Sequence, residues 1–486
     1  MPATASLSHL AALPADLPDD ALVAVGVRSG HLADDAPGLD LALADLAGFE
    51  GKVGQTLIAA TDAGSRLLVG VGDAVDPASL RKVGAAAARA ARRQPSLVVD
   101  LVDLADAADR VEAAEVLAQG LLLGTYRFDE YKDAPEGTAL AEVSLVAKGG
   151  KRVVDAVARG VAVAEAIAFA RDLVNTPGGD LVPAEFARRV GKAAEGAGVE
   201  CEAWDLKRIR KERLGGLIGV NRGSTHEPRL VVLRHVPEGR PKGRVALVGK
   251  GVTFDSGGLS IKPAASMEWM KTDMGGAAAV AAAMLLVPLL APRMEVTAYL
   301  PLTDNMLGGD ATRVGDVLRA RNGKTIEVLN TDAEGRLILA DALSLAAEAE
   351  PDAIVDLATL TGACMVALGD RTAGVMANRD ALRDRVLDSA GAAGEAMWPL
   401  PLPDHLRKPL DSEVADLRNI GSGPYGRALT AGIFLREFVA DVPWAHLDIA
   451  GPSSASAAWD EHTKGATGYG VRTLAALLAG WSKLPA

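Results

Sequence analysis

Cysteine is nearly missing from this 486-residue chain, with Cys201 and Cys364 the only two. Two thiols cannot build a disulfide framework, and neither lies in a CxxC or Cys/His cluster, so a stapled secreted scaffold is excluded and a reducing cytoplasm fits best. Histidine is also sparse: the seven are scattered, with no HExxH or His-x-His spacing, which excludes the usual histidine-built metal sites. Aromatic residues make up only 4%, and the 49% hydrophobic share is carried mainly by Ala, Leu and Val; with 23% charged residues this is a globular composition, not a disordered one. Positive charge is in deficit. A formal charge of −12 sets an unfavourable overall field for nucleic acid or an anionic membrane and makes small-molecule or peptide partners easier to justify.

The N-terminal stretch lacks a basic region, and Pro14, Asp16 and Pro18 cut its apolar run, so it does not read as a secretory signal and export is not expected. One uncharged run, Met274 to Pro292, has about the length that spans a bilayer. Its Gly275, Gly276 and many alanines make it weakly hydrophobic, and Pro288 is expected to interrupt a helix there, so it reads as a buried core helix and no membrane is expected.

The length is too great for one hydrophobic core and predicts two or three domains. Residues 1–150 alternate apolar runs (ALVAVGV, SRLLVGVGD, SLVVDLVD) with an Ala/Arg helix near 78–93, the pattern of a small N-terminal α/β domain. The GVGD at Gly70–Asp73 reads as a strand-ending turn, since the rest of a dinucleotide fingerprint is missing. Residues 151–174 are helical throughout and stop at Asn175-Thr176-Pro177-Gly178-Gly179, which makes them a connecting helix. From 175 to 486 the pattern predicts a larger α/β domain with a mixed, mostly parallel sheet flanked by helices. Strands are expected at 229–235, 244–249, 295–300, 326–329, 353–358 and 445–450, with helices near 274–287, 335–349, 380–392, 429–440 and 466–482. There is no evident repeat or low-complexity linker. In such folds ligands gather beyond the carboxyl ends of the strands.

Those loops carry an unusual density of charge: Lys250 to Asp255 and on to Lys262, then Lys271 to Asp273, then Asp332, Glu334 and Arg336. Each residue has a structural reading. Asp255 could shape the Ser-Gly-Gly turn, Asp273 could cap the next helix, Thr331 and Glu334 fit a capping box, Lys250 and Lys262 could be solvated, and Arg336 could pair with a carboxylate. Their joint occurrence weighs against this, because several carboxylates buried together repel and resist desolvation unless multivalent cations offset them. Four acidic side chains carry the charge that two divalent ions balance, and Asp332 and Glu334, two apart in an extended segment, face the same way. Oxygen ligands suit Mg²⁺, Mn²⁺ and Zn²⁺.

The segments VGKGVTFDSGGLSIKP, MKTDMGGAAAV and above all NTDAEGRL resemble the leucyl aminopeptidase family, the hexameric dinuclear cytosol aminopeptidases. The similarity spans roughly residues 160–480 and includes DLVNTPGGDLVP, ATLTGACMVALG, ADLRNIG, WAHLDIAG and KGATGYGVR. It implies a metallopeptidase domain over 175–486 that removes N-terminal residues, Leu or other apolar ones preferred, from peptides with a free N-terminus. It also implies a homohexamer and two divalent ions per subunit, Mn²⁺ or Zn²⁺, with Mg²⁺ or Co²⁺ as further candidates. Asp255 and Glu334 would bridge the ions, Asp332 would complete one site, and Asp273 with Lys250 the other. Lys262 would stabilise the oxyanion, and Arg336 would hold a bicarbonate acting as general base. Met270, Thr359, Gly362 and Ala450 would line the pocket for the N-terminal side chain. The chain differs from the family's usual Gly-Gln-Gly-Ser at Asn221-Arg222-Gly223-Ser224, and its 450–459 segment is longer than usual.

Two other functions compete with this one. A DNA-binding accessory role would use Arg89, Arg92, Arg93 and the run Lys207 to Arg213, which otherwise read as solvated helix faces. A dinuclear phosphoesterase would use the same metals.

Overall fold

The computed structural model describes residues 5–14, 21–73, 75–104, 109–133 and 140–484. Asp16 and Pro18, on which the reading of the N-terminal stretch partly rests, lie outside the described residues. The chain divides into two compact units, 1–168 with 455–465 and 169–454 with 466–486.

In the first unit a six-stranded sheet runs in the order Ser6–Leu10, Glu142–Val146, Ser96–Asp100, Ala21–Arg28, Gly64–Gly72, Thr56–Thr61. Only Thr56–Thr61 is antiparallel to its neighbour. Helices Pro77–Ala90 and Arg110–Thr125 pack closely together, and Leu67, Leu97, Leu117 and Leu145 fill the core. The turn expected at Gly70–Asp73 is strand up to Gly72, whose φ of +82 closes it, and only Asp73 lies beyond. Residues 455–465 belong to this unit, where Asp460 pairs with Lys82 at 3.1 Å. Arg89 is thereby half-buried beside the charges of Asp460 and Glu461, and burial lowers its pKa. Arg89 is not the solvated helix residue expected from the sequence, because its partners lie far along the chain; Arg92 and Arg93 are exposed.

The connecting helix is continuous from Lys151 to Asn175, and the division between the units falls within it.

The second unit is built on a nine-stranded sheet. Its order is Met397–Pro399, Ala373–Ala377, Trp444–Asp448, Ala353–Ala358, Arg244–Gly249, Glu295–Asn305, Arg229–His235, Glu200–Trp204, and Gly251–Asp255 pairs with the far end of Glu295–Asn305. The central pairs are parallel; Arg229–His235 is antiparallel to both of its neighbours, Glu295–Asn305 and Glu200–Trp204, and Ala373–Ala377 is antiparallel to Trp444–Asp448. Arg229–His235, Arg244–Gly249 and Ala353–Ala358 coincide with their apolar runs, because a strand covered on both faces is apolar at nearly every position.

Four expectations are corrected. The helix expected at 466–482 is only Val471–Ala479, because Gly470 precedes it in the left-handed region, outside helical geometry. The strand expected at 326–329 is only Thr325–Glu327, and it pairs with Val317–Arg319 and Leu417–Arg418 in a separate three-stranded sheet. Helix Arg427–Arg436 starts and ends before the expected 429–440. Pro288 does not interrupt its helix, which runs from Gly275 to Leu290 and forgoes only the bond a residue with an N–H would donate to the Met284 carbonyl.

The stretch Ala264–Leu290 is long and apolar enough to cross a membrane, but 78% of its most apolar window is buried inside the protein, as in a core helix. Helices Gly275–Leu290 and Val471–Ala479 pack together on the sheet, and Gly335–Glu348 and Arg427–Arg436 pack against each other. Close approach explains Gly276, where a Cβ would lie 2.1 Å from the Leu357 carbonyl oxygen.

Candidate metal centre

Lys250 sits at a break in the central strand. Arg244–Gly249 and Gly251–Asp255 both pair in parallel with Glu295–Asn305, and Lys250 between them turns its N–H to the Leu357 carbonyl. Its side chain is buried, with Nζ 2.7 Å from Asp273 Oδ1, 2.9 Å from Glu334 Oε1 and 2.9 Å from the Thr359 carbonyl oxygen.

Asp255 ends the second of these strands. Its Oδ1 accepts from the Gly257 N–H and from Asn305 Nδ2, both at 2.8 Å, and its Oδ2 lies 2.8 Å from Lys262 Nζ. The Asp thus shapes the turn and also faces the cluster. Lys262 pairs with Asp332 as well. Gly257, at φ +86, carries the chain around, and a Cβ there would lie 2.9 Å from Asp332 Oδ1.

The other structural readings fail. Asp273 does not cap the helix after it, since its Oδ1 accepts from Lys250 and from Thr359 Oγ1 at 2.8 Å. No capping box forms: Thr331 Oγ1 donates to the Gly257 carbonyl, accepts from the Ser260 N–H, and Glu334 caps nothing with its side chain.

Ligand atoms of Asp255, Asp273 and Glu334 all lie within 4.8 Å of one another, and all three residues are buried. Asp332 is partly buried and joins through Lys262. Burial and mutual repulsion raise the carboxyl pKa values of Asp255 and Asp273, and burial raises that of Asp332. Burial opposes the charge on both lysines but is outweighed, at Lys250 by Asp273, Glu334 and Asp255 and at Lys262 by Asp255 and Glu334, so both pKa values are raised. Four carboxylates therefore face two ammonium groups, and Asp273 Oδ2 is buried with no hydrogen-bond partner among the described residues. An oxygen-rich, electron-donating set with an orphaned carboxylate oxygen fits divalent cations.

Arg336, in the first turn of Gly335–Glu348, is buried; burial pushes its pKa down to about 10, its Nη1 donates to the Asn419 carbonyl at 2.8 Å, and its Nε is unpartnered among the described residues. A cavity of about 680 Å³ opens beside it, lined by Asn330, Asp332, Leu360, Gly362 and Arg427 among others. Of the four residues expected around the N-terminal side chain, Thr359 touches the cluster and Gly362 lines this cavity. Met270 lies just before Asp273, its carbonyl accepting the Asp273 N–H, and Ala450 is held through its N–H on Asp448.

Asn305 and Asn419 were missed by sequence reasoning. Asn305 ties Asp255 to the Thr331 carbonyl, and Asn419 holds the 329–330 backbone and Arg336. The signal available was position, since Asn305 ends a buried strand and Asn419 lies within the ADLRNIG motif.

Comparison with known proteins agrees with this architecture. Residues 168–475 match the catalytic domain of the cytosol aminopeptidase family, and residues 26–135 match that family's N-terminal domain. A probable cytosol aminopeptidase of Streptomyces avermitilis is 51% identical over 419 residues, covering 84% of this chain and 80% of that protein. One of Mycobacterium marinum is 46% identical over 449 residues, covering 89% and 85%. Among solved structures, the bottromycin maturation enzyme BotP in complex with Mn superposes with a TM-score of 0.86 at 41% identity, covering 95% of this chain and 99% of that one. A tomato leucine aminopeptidase mutant gives 0.88 at 34% identity, covering 98% and 96%. The chain belongs to the cytosol aminopeptidase family and is a metal-dependent aminopeptidase.

Proposed function

We propose that this aminopeptidase holds two divalent ions among Lys250, Asp255, Asp273, Asp332 and Glu334 and releases N-terminal residues, Leu and other apolar ones preferred, from peptides. The observation that carries the reading is the convergence of Asp255, Asp273 and Glu334 within 4.8 Å, with Asp273 Oδ2 left unpartnered. Asp255 and Glu334, each paired with a different lysine, would serve as ligands to both ions, with Asp332 completing one site and Asp273 with Lys250 the other. When bound, a metal pair supplies Lewis acidity and lowers the pKa of water towards neutrality.

The remaining roles fall to the chain's own groups. Lys250, an ammonium group among these carboxylates, would have to give up its proton to offer a lone pair, which two nearby dications would favour electrostatically. The Lys262 ammonium, held by Asp255, would donate to the scissile carbonyl oxygen as negative charge develops there. Arg336, a buried cation with a free Nε donor, would hold bicarbonate as the general base. Met270, Thr359, Gly362 and Ala450 form the pocket for the N-terminal side chain, where small and thioether groups suit an apolar residue.

Mn²⁺ is supported by the Mn complex of BotP and Zn²⁺ by the ligand chemistry, with Mg²⁺ and Co²⁺ as further candidates. A cytoplasmic location, supported by the family's name, belongs to the same proposal, as does the homohexamer that the family resemblance implies. DNA binding is not favoured, since Arg89 faces Asp460 and Glu461 and Arg208 pairs with Glu202 against a net charge of −12.

The test is to strip the metals with a chelator, restore Mn²⁺ or Zn²⁺, and assay Leu-amide with wild-type enzyme and with Asp255→Ala. Activity should return with metal in the wild type and stay at least 100-fold lower in the variant, by the scale of a lost electrostatic contribution to the transition state. Chelation without effect, or turnover of phosphate esters but not of Leu-amide, overturns the reading.

A further inference from the structure

We propose that Arg427 reads a carboxylate on the leaving side of the scissile bond, so that the enzyme favours dipeptides or peptides with an acidic second residue; this rests on the aminopeptidase reading above. Arg427 lines the 680 Å³ cavity beside Asp332 and Arg336. Met270, Thr359 and Ala450 do not line it, so this space is separate from most of the pocket assigned to the N-terminal side chain. It is left for the portion of the peptide that departs, and its size lies within the range of small-ligand sites, roughly 300–1,000 Å³.

The charges of this space are unevenly committed. Asp332 is engaged by Lys262, and Arg336 is buried and donates to the Asn419 carbonyl. Arg427 is exposed and has no ion pair among the described residues. Arg427 lines this cavity, and an unpaired guanidinium offers a planar fork that matches a carboxylate. The local backbone adds to this: Arg427 opens the helix Arg427–Arg436, whose cap Gly426 offers no side-chain acceptor, so the positive end of that helix lies beside the guanidinium. A dipeptide complements this pattern, with its amine drawn to the acidic cluster and its carboxylate to Arg427.

The experiment uses metal-loaded enzyme and two substrate pairs, Leu-Gly against Leu-Gly amide and Leu-Asp amide against Leu-Asn amide. Wild type should prefer the charged member of at least one pair about tenfold in kcat/KM, chiefly through KM. Preference in the first pair assigns the terminal carboxylate and in the second the acidic side chain. Arg427→Gln should bring that ratio close to one, and Arg427→Lys should recover part of it. Equal turnover within both pairs by the wild type, or an unchanged ratio in Arg427→Gln, overturns this inference while leaving the aminopeptidase reading intact. A wild type that turns over none of the four overturns both.

Discussion

Gly335 lies against the stem of Lys250, so closely that a Cβ on Gly335 would stand 2.4 Å from Lys250 Cε and 2.7 Å from Nζ. The opening of one helix and the lysine at the strand break are therefore shaped to each other. The reason for glycine here is space, since the position is helical and Ala would favour the helix by about 1 kcal/mol.

Gly335→Ala should thus separate stability from activity. The unfolding midpoint should change little, while Leu-amide turnover at saturating Mn²⁺ should fall by about tenfold or more as Lys250 is displaced from Asp273 and Glu334. Full activity in this variant would show that the lysine can move without consequence.

Glu395 makes a second prediction, on stability. Its buried carboxylate accepts from the Gly470 N–H at 3.1 Å, the Thr473 N–H at 3.0 Å and Thr473 Oγ1 at 2.6 Å, closing the start of helix Val471–Ala479 from a distant loop. In Glu395→Gln an amide NH₂ would face one of those donors, leaving buried groups unmatched at a cost of about 1–3 kcal/mol. Denaturant unfolding should show that loss, and a change below about 0.5 kcal/mol would refute it.

A third prediction concerns pH. His446 Nδ1 lies 2.6 Å from Asp356 Oδ1, both fully buried, and Asp356 Oδ2 accepts from Trp444 Nε1 at 2.6 Å. Burial works against the imidazolium, but Asp356 outweighs it and the His446 pKa is raised above 6.5. The stability from this proton is fully present below about pH 6.5 and is lost as pH rises through the folded-state value, by up to about 1.4 kcal/mol per pH unit crossed. The double variant Asp356→Asn, His446→Gln titrates at neither position. The stability advantage of the wild type over it should shrink between pH 6 and pH 9, and a constant or widening gap would contradict the assignment.

Quaternary structure gives the fourth. Sedimentation of the full chain should return six copies, and a monomer at micromolar concentration would remove the hexamer from the proposal.

Much of the candidate site is legible in the sequence. Lys250, Asp255, Asp273, Asp332 and Glu334 stood out because charge at the ends of apolar strands is costly without a purpose, and because their segments match a known family. Arg427 did not stand out, since an arginine at a helix start is ordinary until the cavity it lines is known. The capping readings of Asp273 and Glu334 fail because distant partners claim the side chains, Lys250 and Thr359 at Asp273, Lys250 at Glu334, and Gly257 and Ser260 at Thr331.

What the amino-acid order determined alone was local: the central strands 229–235, 244–249 and 353–358, the connecting helix, and the chemistry of the acidic loops, all of which follow from burial periodicity and residue type over short spans. Tertiary structure decided what depends on distant neighbours. It moved Thr325–Glu327 out of the main sheet, let the helix run on past Pro288, and brought Asp460 to Lys82 across most of the chain. Those outcomes follow from contacts between segments far apart in sequence, and a periodic pattern records only that a face is buried, not which surface covers it.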